Sequence, residues 1–230
     1  MKVYEIRIKL YVLQNISLES AQSTICSFID KALVKNKDFA EFHSERKFKN
    51  YCFDSLYPLE KDKVYKEGKI YTLTLRTIDE KLVDFFSKEL VNSFTEKLKA
   101  LTAEKKIIPK KHIEKIYSIT PMIMKNDSGY WKGKLSLEEF EKRIKENLIK
   151  KYNTFMNTKI NEDFELYSGL EFKNRKPIII KYKDIKLMGD KVSLNILEND
   201  LAQDMAYMCL GTGLSEMNSR GYGFMNYRFI

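Results

Sequence analysis

The sequence predicts an α+β chain of two consecutive βαββαβ units, and three observations carry that expectation. Apolar residues alternate along the N-terminal segment, helical periodicity takes over at intervals, and the strand and helix signals of the first half recur in the same order in the second. A length of 230 residues suits one large domain or two small ones, and the repeated order divides it into 1–110 and 111–230, joined near Pro109 to His112.

Tyr4, Ile6, Ile8, Leu10 and Val12 place an apolar residue at every second position, with Glu5, Arg7 and Lys9 between them. That is the period of a half-buried strand. Ser17 is a suitable N-cap for a helix that carries Ala21, Ile25, Phe28, Ile29, Ala32 and Leu33 on one face and ends near Lys35. A basic loop holding His43 follows, then strands over 51–56 and 70–76. A second helix is expected along Leu82, Phe86, Leu90 and Phe94, and a fourth strand over 98–108. In the second half a strand over 113–124 precedes a helix opened by the capping box from Ser136 to Glu139, with Phe140, Ile144, Leu148, Tyr152 and Phe155 inward. Strands over 164–172, 178–182 and 192–197 allow one extra hairpin strand. A short helix with Leu201, Met205 and Met208 ends at Gly211 as a left-handed C-cap, and a strand over 222–229 follows. This is the order of two tandem ferredoxin-like domains.

Hydrophobic residues make up 43% and charged residues 32% of the chain, a globular composition, and its apolar runs fall far short of the ~20 residues that span a bilayer. Residues 1–13 lack the apolar core of a secretory signal, so the chain is read as cytoplasmic. Cys26, Cys52 and Cys209 are odd in number and widely spaced, which predicts reduced core thiols. Lys and Arg number 41 against 32 Asp and Glu, a net charge of +9, and favour a polyanionic partner because basic groups that neutralise phosphates release counterions. The excess gathers in 97–115 and 31–49. Tyr130 and Trp131 are suited equally to stacking on bases and to packing.

The most informative stretch is GTGLSEMNSRGYGF over 211–224, with Gly211, Gly213, Gly221 and Gly223. Glycines permit positive φ and let a phosphate approach backbone N–H groups, while Asn218, Ser219 and Arg220 supply side-chain donors. A GxGxxG reading fails at Glu216, and no Gly-Lys-Ser/Thr follows for a P-loop. Residues 220–227 approach the RNP1 octapeptide of RRM domains, but only Arg228, Phe229 and Ile230 remain, where RNP1 needs a further helix and strand.

On these residues the chain resembles the CRISPR-associated endoribonucleases that process repeat transcripts, within the RAMP superfamily. Their pattern of glycine, hydrophobic, glycine, Glu, Lys, Asn, Ser, any residue, glycine, aromatic and glycine is matched by Gly213, Leu214, Glu216, Asn218, Ser219, Gly221, Tyr222 and Gly223. Ser215 replaces a glycine and Met217 a lysine. Ile119-Thr120-Pro121 matches a short motif opening the family's second domain. The resemblance implies two ferredoxin-like domains and an RNA-binding loop of Gly213, Ser215, Asn218, Ser219, Arg220, Gly221 and Gly223. It also implies a proton-transferring histidine in the loop after the first helix, here His43, and a nearby lysine at Lys49, with Lys47 as substitute.

The reaction it implies is attack of a ribose 2′-OH on the adjacent phosphate, giving a 2′,3′-cyclic phosphate and a 5′-OH, with no metal and no cofactor. The family's helix tyrosine has no counterpart between Tyr11 and Tyr51, leaving Ser44 or Tyr51 as stand-ins. His112, among Lys110, Lys111 and Lys115, suits phosphate binding or solvent more than catalysis. The partners implied are CRISPR repeat RNA and other proteins of an interference complex, with no membrane and the chain acting as monomer or homodimer. A non-catalytic RAMP subunit or an RRM-like module stays open as the alternative.

Overall fold

The computed structural model describes residues 1–45, 47–125, 129–182 and 185–230, with side chains for all of these except His43 and Ser44. The first sheet is built from β1 (Val3–Val12), β3 (Tyr51–Phe53), β5 (Ile70–Thr77) and β6 (Leu98–Ile108), in the antiparallel order β3-β5-β1-β6. A minor pair, β2 (Ile16–Ser17) with β4 (Val64–Tyr65), lies apart from it. The alternation of β1 turns Ile6, Ile8 and Leu10 onto α1 (Leu18–Lys35) and α3 (Glu80–Asp84), where they meet Ile25, Phe28, Ile29, Leu82 and Phe86 in one core. Ser17 caps α1, accepting from the Ser20 N–H.

The second sheet joins β7 (Ile113–Ser118), β8 (Tyr167–Phe172), β11 (Val192–Ile196) and β12 (Met225–Phe229) in the order β12-β7-β11-β8. Behind it α4 (Leu137–Met156) buries Phe140, Ile144 and Leu148, and α5 (Asp200–Thr212) buries Met205, Ala206 and Cys209. In both sheets the fourth strand of the unit lies beside the first, then the third, then the second, which is the ferredoxin-like order predicted from the sequence. The hairpin of β9 (Ile178–Tyr182) and β10 (Ile185–Gly189) is an insertion that forms its own two-stranded sheet. One strand of it was expected, and β10 was not.

The units are bonded to one another. The Tyr207 hydroxyl on α5 donates to Ile108 O at 2.6 Å and accepts from the Val3 N–H at 3.2 Å. Arg76, 4% exposed, pairs with Glu5 at 2.8 Å, donates to Met225 O at 2.7 Å and lies over the Phe224 ring. The three cysteines are buried free thiols, as expected.

Several boundaries differ from the sequence reading. The basic loop over His43 is largely a helix, α2 (Lys37–Ser44), started by Asn36, whose side chain accepts from the Asp38 N–H at 2.9 Å. The second helix of the first unit is one α-helical turn continued by a π turn (Phe85–Glu89) and a 3₁₀ turn (Leu90–Asn92). The strand expected over 113–124 stops at Ser118, where the chain bends at Ile119 and Thr120 and both N–H groups turn to Phe224 O; Pro121 has no N–H to resume a ladder, and Met122 and Ile123 bridge Asp190 and Glu216 instead. Gly211 does not end α5: it packs on Val3, Thr77 and Ile78, and Gly213 takes the positive φ of 77°. Trp131 is a packing residue, stacked on Phe140 and Phe172, and its indole N–H and the Tyr130 hydroxyl both donate to Asp190 at 2.8 Å.

Candidate active site

The C-terminal end of α2 leaves carbonyls without intrahelical donors. Lys49 fills that need, since its ammonium donates to Phe42 O and, at 2.7 Å, to Glu45 O, and lies 4.7 Å from the Phe42 ring centre. Burial pushes the Lys49 amine below its usual range, with the charge of Glu45 opposing the shift. Lys47 projects into solvent and pairs with Glu45 at 3.0 Å. His43 falls on the last turn of this helix; its side chain, like that of Ser44 and the whole of Arg46, lies outside the described residues.

The glycine-rich segment folds into a closed loop. Leu214 N–H donates to Gly223 O at 2.8 Å and Gly223 N–H to Pro121 O at 2.8 Å, while Glu216 N–H reaches Ile123 O at 3.1 Å. Asn218 lies inside the loop and donates from Nδ2 to Leu214 O and Tyr222 O, both at 2.9 Å. Lys151, from α4, inserts its ammonium beneath and donates to Gly213 O at 2.7 Å, Ser215 O at 2.8 Å and Asn218 Oδ1 at 2.7 Å. All three of its protons are thus used. Burial pushes the Lys151 amine down to about 8.

The glycines make room for protein atoms. A Cβ at Gly213 would overlap the Asn218 amide, at Gly221 the side chains of Gln22 and Phe53, and at Gly223 the carbonyl of Leu214, and all three have positive φ. Ser215 and Met217, where the sequence departs from the family pattern, both adopt φ of 60°. Ser215 offsets some of that strain by donating from Oγ to Ile123 O at 2.8 Å.

The loop seats on the first unit. Gln22 Nε2 donates to Gly221 O at 2.7 Å, and Arg220 pairs with Asp30 on α1. Between the α2–β3 turn and the loop lies a pocket of about 210 Å³ whose lining includes Lys47, Lys49, Tyr51, Lys125, Ser215, Asn218 and Ser219. It gathers both predicted lysines and three of the predicted loop residues. Gly213, Arg220, Gly221 and Gly223 stand behind it and set the loop's shape. His112 lies away at the junction, its Nε2 3.4 Å from Gln203.

Two residues of the site, Lys151 and Lys125, escaped the sequence reading, and a third, Tyr51, entered it only as a stand-in for the family's helix tyrosine. Lys151 did carry a signal, because a lysine sits on the apolar stripe with Ile144 and Leu148 at helical spacing. Tyr51, 2% exposed, has its phenol pushed far up by burial beside Asp30 and Arg220. Lys125 reaches the pocket because the chain bends at Ile119 and Thr120 and then runs beside the glycine loop, where Ile123 bridges Glu216.

Residues 103–227 match a family model described as "CRISPR associated protein Cas6, C-terminal". The chain is 24% identical over 230 residues to "CRISPR-associated endoribonuclease Cas6 2" of Methanocaldococcus jannaschii, a match covering 88% of this chain and 90% of the relative. A solved structure named "CRISPR associated protein Cas6" superposes with a TM-score of 0.75 at 20% identity, covering 98% of this chain and 99% of the other. One titled "An RAMP protein binding different RNA substrates" gives 0.75 at 16%, again over 98% and 99%. A third, characterising a Cas6-related gene from Pyrococcus furiosus, gives 0.71 at 15% over 98% of each chain.

Proposed function

The chain belongs to the CRISPR-associated Cas6 family, and on that premise we propose that it is an endoribonuclease that cuts CRISPR repeat transcripts, without a metal, into individual guide RNAs. The observation that carries this reading is the pocket shared by the α2–β3 turn and the glycine loop. It brings cationic and hydroxyl groups from both units to the end of the helix that bears His43.

In this reading the ribose 2′-oxygen attacks the adjacent phosphorus, the bond from phosphorus to the 5′-oxygen of the next nucleotide breaks, and a 2′,3′-cyclic phosphate and a 5′-OH result. The 2′-OH proton must leave and the 5′-oxygen must gain one. His43 takes part in that transfer, and Lys49, for which Lys47 is only the substitute, favours the charge on the pentacoordinate phosphorus. Lys49 also fixes the end of α2, so it orients His43 as well. The first unit, 1–110, contributes the proton-transfer machinery, and the second, 111–230, the RNA-binding loop of Gly213, Ser215, Asn218, Ser219, Arg220, Gly221 and Gly223. Ser215, Asn218 and Ser219 are the members of that loop that line the pocket. Among the described residues, no helix is long and apolar enough to cross a membrane.

The test is incubation with repeat RNA in EDTA, beside the same RNA carrying one 2′-deoxy nucleotide just upstream of the cut. Cutting of the first to a cyclic phosphate, binding without cutting of the second, and loss of cutting in His43→Ala are the expected results. Cutting of both RNAs refutes the 2′-OH mechanism, and cutting only with a divalent ion refutes metal independence. Tight binding of both with no cutting favours a non-catalytic RAMP subunit.

A further inference from the structure

A second group of side chains continues the pocket beyond Ser215 and Glu216. Arg143, Asn147 and Lys150 lie on one face of α4, spaced by four and then three residues, and line a small pocket together with Ser215 and Glu216. Those same two loop residues line the pocket of Lys49 and Lys125, so the two cavities meet over the loop. Arg143 makes no direct hydrogen bond or ion pair among the described residues, and its charge acts on the nearby Glu216 carboxylate. Lys150 is 4.0 Å from Glu146 in a solvent-exposed pair, an arrangement that contributes little. Asn147 Oδ1 is buried and meets no donor among the described residues, which is unfavourable unless a ligand supplies one. Counting Lys125, Arg143 and Lys150 against Glu146 and Glu216, the surface keeps a positive charge.

We propose that this face of α4 binds the sugar-phosphate backbone of the RNA strand next to the cut, with Arg143 and Lys150 on phosphates and Asn147 Oδ1 accepting from a ribose hydroxyl. The proposal rests on the reading of the adjoining pocket as an RNA-cleaving site. Seven helical steps take Arg143 to Lys150, roughly 10.5 Å along the axis, which reaches different phosphates of one strand. An acceptor among cations suits a strand whose sugars carry hydroxyl donors. The face is thus a binding surface and leaves proton transfer to the first unit.

The test uses the full chain with the double substitution Arg143→Gln and Lys150→Gln. Dissociation constants for labelled repeat RNA are measured across a salt series, beside single-turnover cleavage at saturating RNA. Expected are a roughly tenfold loss of affinity, a salt slope shallower by about 1.4 for a single strand, and a saturating rate equal to that of the unsubstituted chain. The charge-keeping pair Arg143→Lys and Lys150→Arg restores affinity and slope, which separates lost charge from a disturbed fold. Asn147→Leu weakens binding of the ribose strand but not of one with 2′-deoxy sugars flanking the cut. Unchanged affinity and slope in the Gln pair overturn the proposal while leaving the cleavage reading intact. An unsubstituted chain that neither binds nor cuts repeat RNA overturns both.

Discussion

The ammonium of Lys151 stands 2.7 Å from Asn218 Oδ1, and the two side chains together bond four backbone carbonyls of the glycine-rich segment. A cation and an amide, both buried, therefore replace the turn-by-turn backbone pairing that a helix or hairpin would supply. The loop's conformation depends on α4 as much as on its own glycines. It is held in register with the helix whose outward face carries Arg143 and Lys150.

Lys151→Met removes the donor, leaving Ser215 O and Asn218 Oδ1 without partners and Gly213 O with only the Thr212 hydroxyl at 3.5 Å. Unsatisfied buried acceptors cost about 1–3 kcal/mol each, and relaxation of the loop recovers part of that, so a loss on the order of 3 kcal/mol is expected. For a chain of this size that corresponds to a melting temperature lower by roughly 6–12 °C. Scanning calorimetry checks it, and an unchanged melting temperature refutes the role given to Lys151.

Three positions at positive φ, two in the loop and Gly129 outside it, give contrasting predictions. Gly223→Ala forces a Cβ into Leu214 O at positive φ, so it destabilises by more than about 2 kcal/mol and abolishes tight RNA binding with it. Gly129→Ala, also at positive φ but with nothing within 4 Å of the new Cβ, costs only about 1–2 kcal/mol. Met217→Gly relieves a non-glycine residue at φ of 60° and stabilises by about 1 kcal/mol. Urea unfolding of the three variants ranks them.

The two-unit architecture was legible because its core faces obey simple periods. Ile6, Ile8 and Leu10 alternate, while Phe140, Ile144 and Leu148 follow a helix, and each set reaches its core. The second helix of the first unit's site, α2, was hidden by its length of 8 residues and by charged residues that also suit a loop. Its stability comes from the Asn36 cap and from Lys49, neither of which has a spacing that identifies it. The glycines were legible as a special segment, but their partners were not. Gln22, Phe53 and Lys151 meet them only after both units fold, so a string that reads as an open cradle closes on protein atoms. Lys125 needed the bend at Ile119 and Thr120, which no periodicity announces.

Lys47 and Lys49 are two residues apart and have different tasks. Lys49→Ala frees the end of α2 from its capping donor, and misplacement of a reacting group by about 1 Å costs on the order of 10²-fold in rate. The single-turnover rate at saturating RNA should fall by about that factor, with little change in affinity. Lys47→Ala removes an exposed charge paired only with Glu45, so it should weaken binding a fewfold and flatten the salt dependence, leaving the saturated rate near that of the unsubstituted chain. If Lys47→Ala loses rate and Lys49→Ala does not, the assignment is reversed.

Glu5 ties acid stability to the joint between the units. Burial alone would raise its carboxyl, but the charge and hydrogen bonds of Arg76, with Lys106 assisting, outweigh burial and hold it below its ordinary 4.5. The unfolded chain therefore binds this proton more readily than the folded one, and stability rises with pH across the interval between the two values. The contribution is fully present above about pH 4.5 and is lost as pH falls through the lower folded value. Protonation would also leave Arg76, bonded to Met225 O across the joint, as a buried cation with a neutral partner. Denaturant midpoints from pH 7 down to about 3 should stay level above the ordinary value and fall steeply below it. Glu5→Gln should be less stable at pH 7 and show a shallower acid limb. An acid limb of unchanged slope in Glu5→Gln would place the sensitivity in other carboxylates.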